Sequence, residues 1–285
     1  MIKKILRVLI VLTMLIFNVN STSIMADASS VSGNYEYELI NNGKEVRITK
    51  YRGDEEYPYI PNTIEGKKVT ELGSYSFWDN DNIKEVEFNS NLITIRPGAF
   101  FDCDSLEKIV IPDNVKNIYS NDKTYTDEET FGYCDSLKTV VIGNGLENIE
   151  AGTFGTCRAL ESVTIGNGVK KIGSNAFSGC GKLSKVEFGS GLIEIGTSAF
   201  SNCSSLETVK LPSNTQTIGY QAFYNCDGLK NISLNGKLET IGLGAFFDCD
   251  SLEKIVIPDS VKNIYSNDKT YTDEETFGYC DSLKT

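Results

Sequence analysis

From residue 57 onward the apolar positions of the chain recur in a fixed order. Phe falls at 77, 100, 131, 154, 177, 200, 223, 246 and 277, at steps of 23 residues with two steps of 31. A Cys column follows at 103, 134, 157, 180, 203, 226, 249 and 280, and Leu stands three residues after each Cys. Three residues on comes Val or Ile (Ile109, Val140, Val163, Val186, Val209, Ile232, Ile255), and two further another large apolar residue (Ile111, Ile142, Ile165, Phe188, Leu211, Leu234, Ile257). The step of two predicts a short strand with one face buried. Pro112, Pro212 and Pro258, or Gly143, Gly166 and Gly189, end that strand, because Pro lacks an N–H and Gly bends freely. A second apolar pair follows, represented by Val169 and Ile172, and then Ala-Phe or Thr-Phe.

A fixed period of 20 to 50 residues predicts a stacked-repeat architecture. Each unit offers roughly seven side chains for burial, at about 1.5–3 kcal/mol each. A lone 23-residue unit cannot offset a backbone entropy cost of about 1–2 kcal/mol per residue. It folds only when neighbouring units bury each other's faces.

The fuller motif is written out in LENIEAGTFGTCRALESVTIG, LIEIGTSAFSNCSSLETVKLP and LETIGLGAFFDCDSLEKIVIP. Leu-x-x-Val-x-Ile with Cys upstream resembles leucine-rich repeats in general, and the fuller form resembles the BspA-like bacterial leucine-rich repeat family. The resemblance covers roughly residues 57 to 285. It implies a right-handed solenoid of 23-residue period, mainly short parallel strands with short helical turns. It also implies a secreted or surface protein of bacteria, and some members resemble adhesins that bind host matrix proteins or other cells.

Residues 1–28 read as a secretory signal peptide. Lys3, Lys4 and Arg7 form its charged region, Val8 to Val19 its short apolar run, and Ala26-Asp27-Ala28 a cleavage site after Ala28 or after Ala26. The apolar run is too short for a membrane span. Residues 29–56 are expected to form an N-terminal hairpin cap: GNYEYELINNGKEVRITKY alternates polar and apolar residues around Asn-Asn-Gly, which predicts a primed turn. Tyr35, Tyr37, Tyr51, Tyr57 and Tyr59 cluster here, for packing in the cap rather than for binding glycan. The solenoid is expected over residues 57–285, about nine repeats with the last incomplete, which predicts an exposed strand edge and an exposed Phe277 there. Residues 57–77 are a first, divergent repeat with Asn80 in the Cys position.

Residues 119–130, YSNDKTYTDEET, are an eight-residue expansion that recurs letter for letter at 265–276. The whole block 98–139 returns at 244–285 with one change, Asn114 to Ser260. Two such loops six repeats apart would be separated by roughly 30 Å, at ~4.8 Å per coil.

The net charge of −12 becomes about −14 or −15 once the signal is removed. That argues against nucleic acid and anionic membrane surfaces, both of which attract basic patches. The chain has no His, so the commonest general base, the Ser-His-Asp and Cys-His arrangements and most catalytic zinc sites are absent. Gly-x-Gly at 143–145, 166–168 and 189–191 recurs at the repeat period and reads as a turn, not a nucleotide fingerprint. No cofactor is implied, and nothing gathers carboxylates into the pocket that an enzyme would need. One Cys per coil in one register reads as a buried column of free thiols. Disulfides need Cβ atoms about 3.8 Å apart and convergent, and no C-x₂-C pair suggests a metal.

Two surfaces remain as candidates for a macromolecular partner, protein or glycan. One is the sheet's outward column, Glu87, Val110, Val141, Thr164, Glu187, Lys210, Ser233 and Val256; open solenoid faces are where such proteins bind. The other is the expansion, with Asp122, Asp127, Glu128 and Glu129. Its spacing matches no calcium loop, so a solvated loop or a partner contact is the better reading. The expected function is a secreted or cell-surface, non-enzymatic binding protein. The rival is a structural spacer within a larger envelope protein.

Overall fold

The computed structural model describes residues 30–120, 129–265 and 276–283. The signal segment, residues 121–128 of the first expansion and 266–275 of the second lie outside the described residues.

The chain opens with three antiparallel strands, β1 (Ser30–Ser32), β2 (Tyr35–Ile40) and β3 (Glu45–Tyr51). Asn41 and Asn42 turn the hairpin at φ 52° and 58°, and the Gly43 N–H donates to the Ile40 carbonyl at 3.1 Å. That is the primed turn the Asn-Asn-Gly sequence predicts. A short hairpin, β4 (Thr63–Ile64) and β5 (Lys67–Leu72), follows, and β3 pairs in parallel with β5. The N-terminal hairpin is thereby continuous with the parallel strands that follow.

Each coil then contributes to two parallel ladders. The first holds Lys108–Ile111, Thr139–Ile142, Ser162–Ile165 and Lys185–Glu187, and resumes as Thr208–Lys210 and Asn231–Ser233. Ile109, Val140, Val163 and Val186 are in register across it. The second ladder is built on the other apolar pair. It runs through β5, Thr94–Ile95 and Asn117–Ile118, and again from Asn148–Ile149 to Asn263–Ile264. The break falls at the first expansion, yet the first ladder passes it without interruption, from Lys108–Ile111 to Thr139–Ile142.

Between the second ladder and the Cys column, the expected short helical turns do not form: among the described residues there is no helix. The reason lies in the backbone around each Phe. The residues two before and two after it take left-handed φ in most coils, as at Asn175 (56°) and Gly179 (75°) around Phe177, and Ser198 (52°) and Asn202 (60°) around Phe200. Alternate N–H groups then point two ways. Ala176 and Ser178 donate within the coil, to Gly173 and Asn175, while Asn175, Phe177 and Gly179 donate to Thr197, Ala199 and Ser201 of the next coil. The segment is a third row of inter-coil bonds, incompatible with an i to i−4 helix.

The interior is one continuous core in which the Phe and Cys columns are buried. Successive Phe rings stack nearly parallel, with centroids 5.4 Å apart for Phe154 and Phe177 and 5.3 Å for Phe177 and Phe200. The N-terminal hairpin extends this column: Tyr51 stacks on Phe77 at 5.0 Å, and Tyr35 lies 5.3 Å from Tyr51. Phe277 is half-buried rather than exposed, stacked on Phe246 at 5.6 Å. All eight cysteines are free, seven buried and Cys280 half-buried. Each Sγ–H donates to the Phe carbonyl of the preceding coil, as Cys157 to Phe131 at 3.1 Å and Cys203 to Phe177 at 3.3 Å. At the coil corners an amide staircase adds side-chain bonds. Asp113 accepts from the Asn144 N–H, Asn144 from the Asn167 N–H, and Asn167 from the Ser190 N–H, at 2.6, 2.8 and 2.9 Å.

Candidate binding surface

Because side chains alternate along a strand, the first ladder that buries Val140 and Ile142 must point the residue between them at solvent. Val110, Val141, Thr164 and Glu187 are direct neighbours across the strands, and so are Lys210 and Ser233. Glu87, Val110, Thr164, Glu187, Lys210, Ser233 and Val256 are exposed, and Val141 is half-buried. The face is chemically mixed. Ion pairs lace it, Lys108 to Glu85 at 2.7 Å and Lys185 to Glu187 at 2.7 Å, and Lys185 holds the Glu187 carboxyl below its usual range. Such exposed pairs contribute little to stability, so they set mainly the face's polarity.

The face reaches one coil further than the Val-x-Ile pattern shows. Tyr59 bridges Glu87 in parallel, the Ile60 N–H donates to the Glu87 carbonyl at 2.8 Å, and the Glu87 N–H to the Pro58 carbonyl at 3.0 Å. Pro58 and Ile60 are buried, while Tyr57 and Tyr59 project outward at 66% and 43% exposure. Tyr-Pro-Tyr-Ile carries the same alternation as the later strands. Its register is hidden because the first coil is longer, with 28 residues from Tyr59 to Glu87. The Tyr cluster thus divides. Tyr37 and Tyr51 are buried in the cap, Tyr35 is half-buried with its hydroxyl donating to the Tyr59 carbonyl at 2.8 Å, and Tyr57 and Tyr59 belong to the open face. Burial, together with the nearby Glu55 charge, pushes the Tyr35 phenol up to about 12.

Two shallow grooves flank Tyr57. One, of about 490 Å³, runs along the face between Tyr57, Glu85, Glu87 and Val110. The other, of about 510 Å³, lies between the cap and the face, beside Asn34, Tyr35, Glu55 and Tyr59.

Of the acidic residues of the expansion, Asp122, Asp127 and Glu128 lie outside the described residues. Glu129 is described, and it turns inward. It is half-buried over Gly132, Gly152 and Gly155, so close that a Cβ at Gly152 would stand 2.9 Å from its Cγ. The base of the expansion is closed by the Thr130 hydroxyl, which donates to the Tyr119 carbonyl at 2.6 Å; Thr276 and Tyr265 repeat the bond at 2.6 Å. Among the described residues no group of three or more His, Cys, Asp or Glu is placed to hold a metal ion. Burial raises the thiols of the Cys column, Cys103, Cys180 and Cys226 to about 12 and Cys157 and Cys203 well above the ordinary value of 9.0. A thiolate is the nucleophile and metal ligand, so these side chains are inert packing. No described helix is long and apolar enough to cross a membrane.

Coils of about 23 residues, two parallel ladders and a buried Phe and Cys column define a bacterial-type leucine-rich repeat β-solenoid. The family described as BspA type Leucine rich repeat region matches in six copies over residues 59–122, 124–220 and 147–284, and the chain belongs to that family. A leucine-rich repeat protein of Treponema pallidum is similar in structure, with 26% identity and a TM-score of 0.59 over 82% of this chain and 92% of that one. One from Eubacterium ventriosum shares the fold at 22% identity and a TM-score of 0.55, over 80% of this chain and 53% of that one. Comparison with curated proteins found no match.

Proposed function

We propose that this chain is a secreted or cell-surface, non-enzymatic binding protein that attaches to a protein or glycan of a host or neighbouring cell through its repeat surface. In this reading residues 1–28 direct export, 29–56 cap the array and 57–285 present the face. The observation that supports it is the open face, in register from Val110 through Thr164 to Glu187 and again from Lys210 to Ser233, with Tyr59 paired to Glu87 at its N-terminal end. An open polar surface with shallow grooves suits a large partner better than a small substrate.

The test is binding of residues 29–285 to an array of matrix proteins, mucins and glycans, beside Thr164→Arg in the middle of the face. Saturable binding that Thr164→Arg weakens about ten-fold or more, a change of ~1.4 kcal/mol, is the expected result. Binding lost only when 119–130 is shortened to the ordinary repeat length would move the site to the expansion. Absence of binding across the array would favour the spacer role.

A further inference from the structure

The two ends of the open face differ in chemistry. At its N-terminal end Tyr57 stands 66% exposed. The backbone that carries the ring is held on both sides. Pro58, next in the chain, is buried and fixes the backbone, while the Lys84 N–H donates to the Glu56 carbonyl at 2.8 Å on the other side. With only two χ angles, a Tyr side chain offers a large aromatic surface to a partner at low conformational-entropy cost.

The charges beside the ring are unequal. Lys84 is paired with Glu56 at 2.8 Å, and Lys108 with Glu85 at 2.7 Å. Glu87 is exposed on the same groove and has no cationic partner among the described residues. The groove therefore presents an aromatic ring, one uncompensated carboxylate and an apolar floor at Val110, on a protein of net charge −12. An anionic ligand meets repulsion here. A guanidinium finds a ring face to stack on, a carboxylate to pair with and an apolar strip for its methylene stem.

We infer that the groove between Tyr57 and Glu87 takes a basic, extended segment of a protein partner, with an Arg side chain over the Tyr57 ring and its charge on Glu87. This rests on the binding role proposed above and names the chemistry of the partner. The second groove continues past the same ring towards Tyr59 and Glu55, so a segment several residues long can cross the Tyr57-Pro58-Tyr59 edge from one groove to the other.

The probe is a fluorescein-labelled decapeptide of alternating Arg and Gly, titrated with the chain and followed by fluorescence anisotropy, beside Glu-Gly and Ser-Gly peptides of equal length. One saturable site for the Arg peptide is expected, with Tyr57→Ala weakening it about five-fold or more and Glu87→Gln about three-fold, as fits single exposed cation–ring and ion-pair contacts. Thr197→Ala, exposed beside the second ladder and off the open face, should bind like the parent. Tyr57 and Glu87 are both exposed, so these variants keep the fold, which circular dichroism checks. If Tyr57→Ala and Glu87→Gln bind like the parent, the attraction is diffuse and the inference fails. It fails equally if the Arg peptide binds at several equivalent sites, or if a neutral oligosaccharide binds in a Tyr57-dependent way and the Arg peptide does not. Array binding that survives Tyr57→Ala but is lost in Thr164→Arg would overturn this site and leave the binding role standing.

Discussion

At the scale of single residues, the coils are close enough that one added carbon is felt. Gly173, Gly196, Gly219 and Gly242 stack over one another beside the second ladder, and a Cβ on Gly219 would stand 2.7 Å from the Gly196 carbonyl carbon. Backbone cannot give way as a side chain does, so Gly219→Ala should destabilise by about 1–3 kcal/mol, as overpacking does. Gly236 is the control: a Cβ there meets nothing within 4 Å and its φ is not left-handed. Gly236→Ala should be neutral or stabilise by up to about 1 kcal/mol through the unfolded chain. Urea denaturation midpoints of the two variants separate the cases; equal midpoints would show that the coils relax freely. The Gly spacing was legible in the sequence as a turn signal, but the reason for it was not, because close approach of two backbones 23 residues apart leaves no local trace.

At the scale of the element, the sequence predicted the first ladder well because Val-x-Ile alternates on a fixed period. It predicted the turns around Phe poorly. Ala-Phe-Ser-Gly-Cys carries no φ information in its apolar pattern, and Asn, Asp, Ser and Thr at the left-handed sites look equally suited to helix caps. The extension of the face to Tyr57 and Tyr59 was hidden by the longer first coil. In the sequence Glu129 reads as part of a solvated loop, whereas in space it lies against Gly132 of its own coil and Gly152 and Gly155 of the next. The second ladder breaks at the expansion and the first does not. The base of the expansion is closed by Thr130 and Tyr119, and the first ladder and the Phe stack run past it, with Phe100 and Phe131 at 5.2 Å. Deleting Asn121 to Glu128 should therefore leave thermal stability within about 1 kcal/mol of the parent, since changes in loop length cost little. A loss of several kcal/mol on calorimetry would mean that the loop carries part of the core.

At the scale of the whole molecule, the buried thiols couple the fold to pH. Unfolded, a thiol titrates near 9; folded, Cys103, Cys180 and Cys226 hold their protons to about 12. The folded state binds more protons in that window. Stability is therefore fully present below about pH 9 and falls as pH rises towards 12, by about 1.4 kcal/mol per pH unit for each such thiol. Several acting together predict an alkaline unfolding far steeper than one group gives. The half-buried Cys280 should be the first to react with a thiol reagent, and the other seven only on unfolding. A shallow pH profile, or early reaction of several thiols, would contradict this packing.

The duplicated block shows how far each coil depends on its neighbour. Ile111 of the first copy is buried against Thr139–Ile142 of the coil that follows it. The one altered position is also felt between coils. Asn114 donates to both Leu92 and Asn89 carbonyls, whereas Ser260 donates to the Leu238 carbonyl. Because a coil's partners lie in the coils directly before and after it, the number of coils can change without redesigning any of them. The chain is in effect a ruler graduated by its ring stack, about 5.4 Å per mark between Phe154 and Phe177. Copying or deleting one coil between the two expansions would move them apart or together by one graduation and leave both intact, so the spacing presented to a partner can be set by repeat number alone.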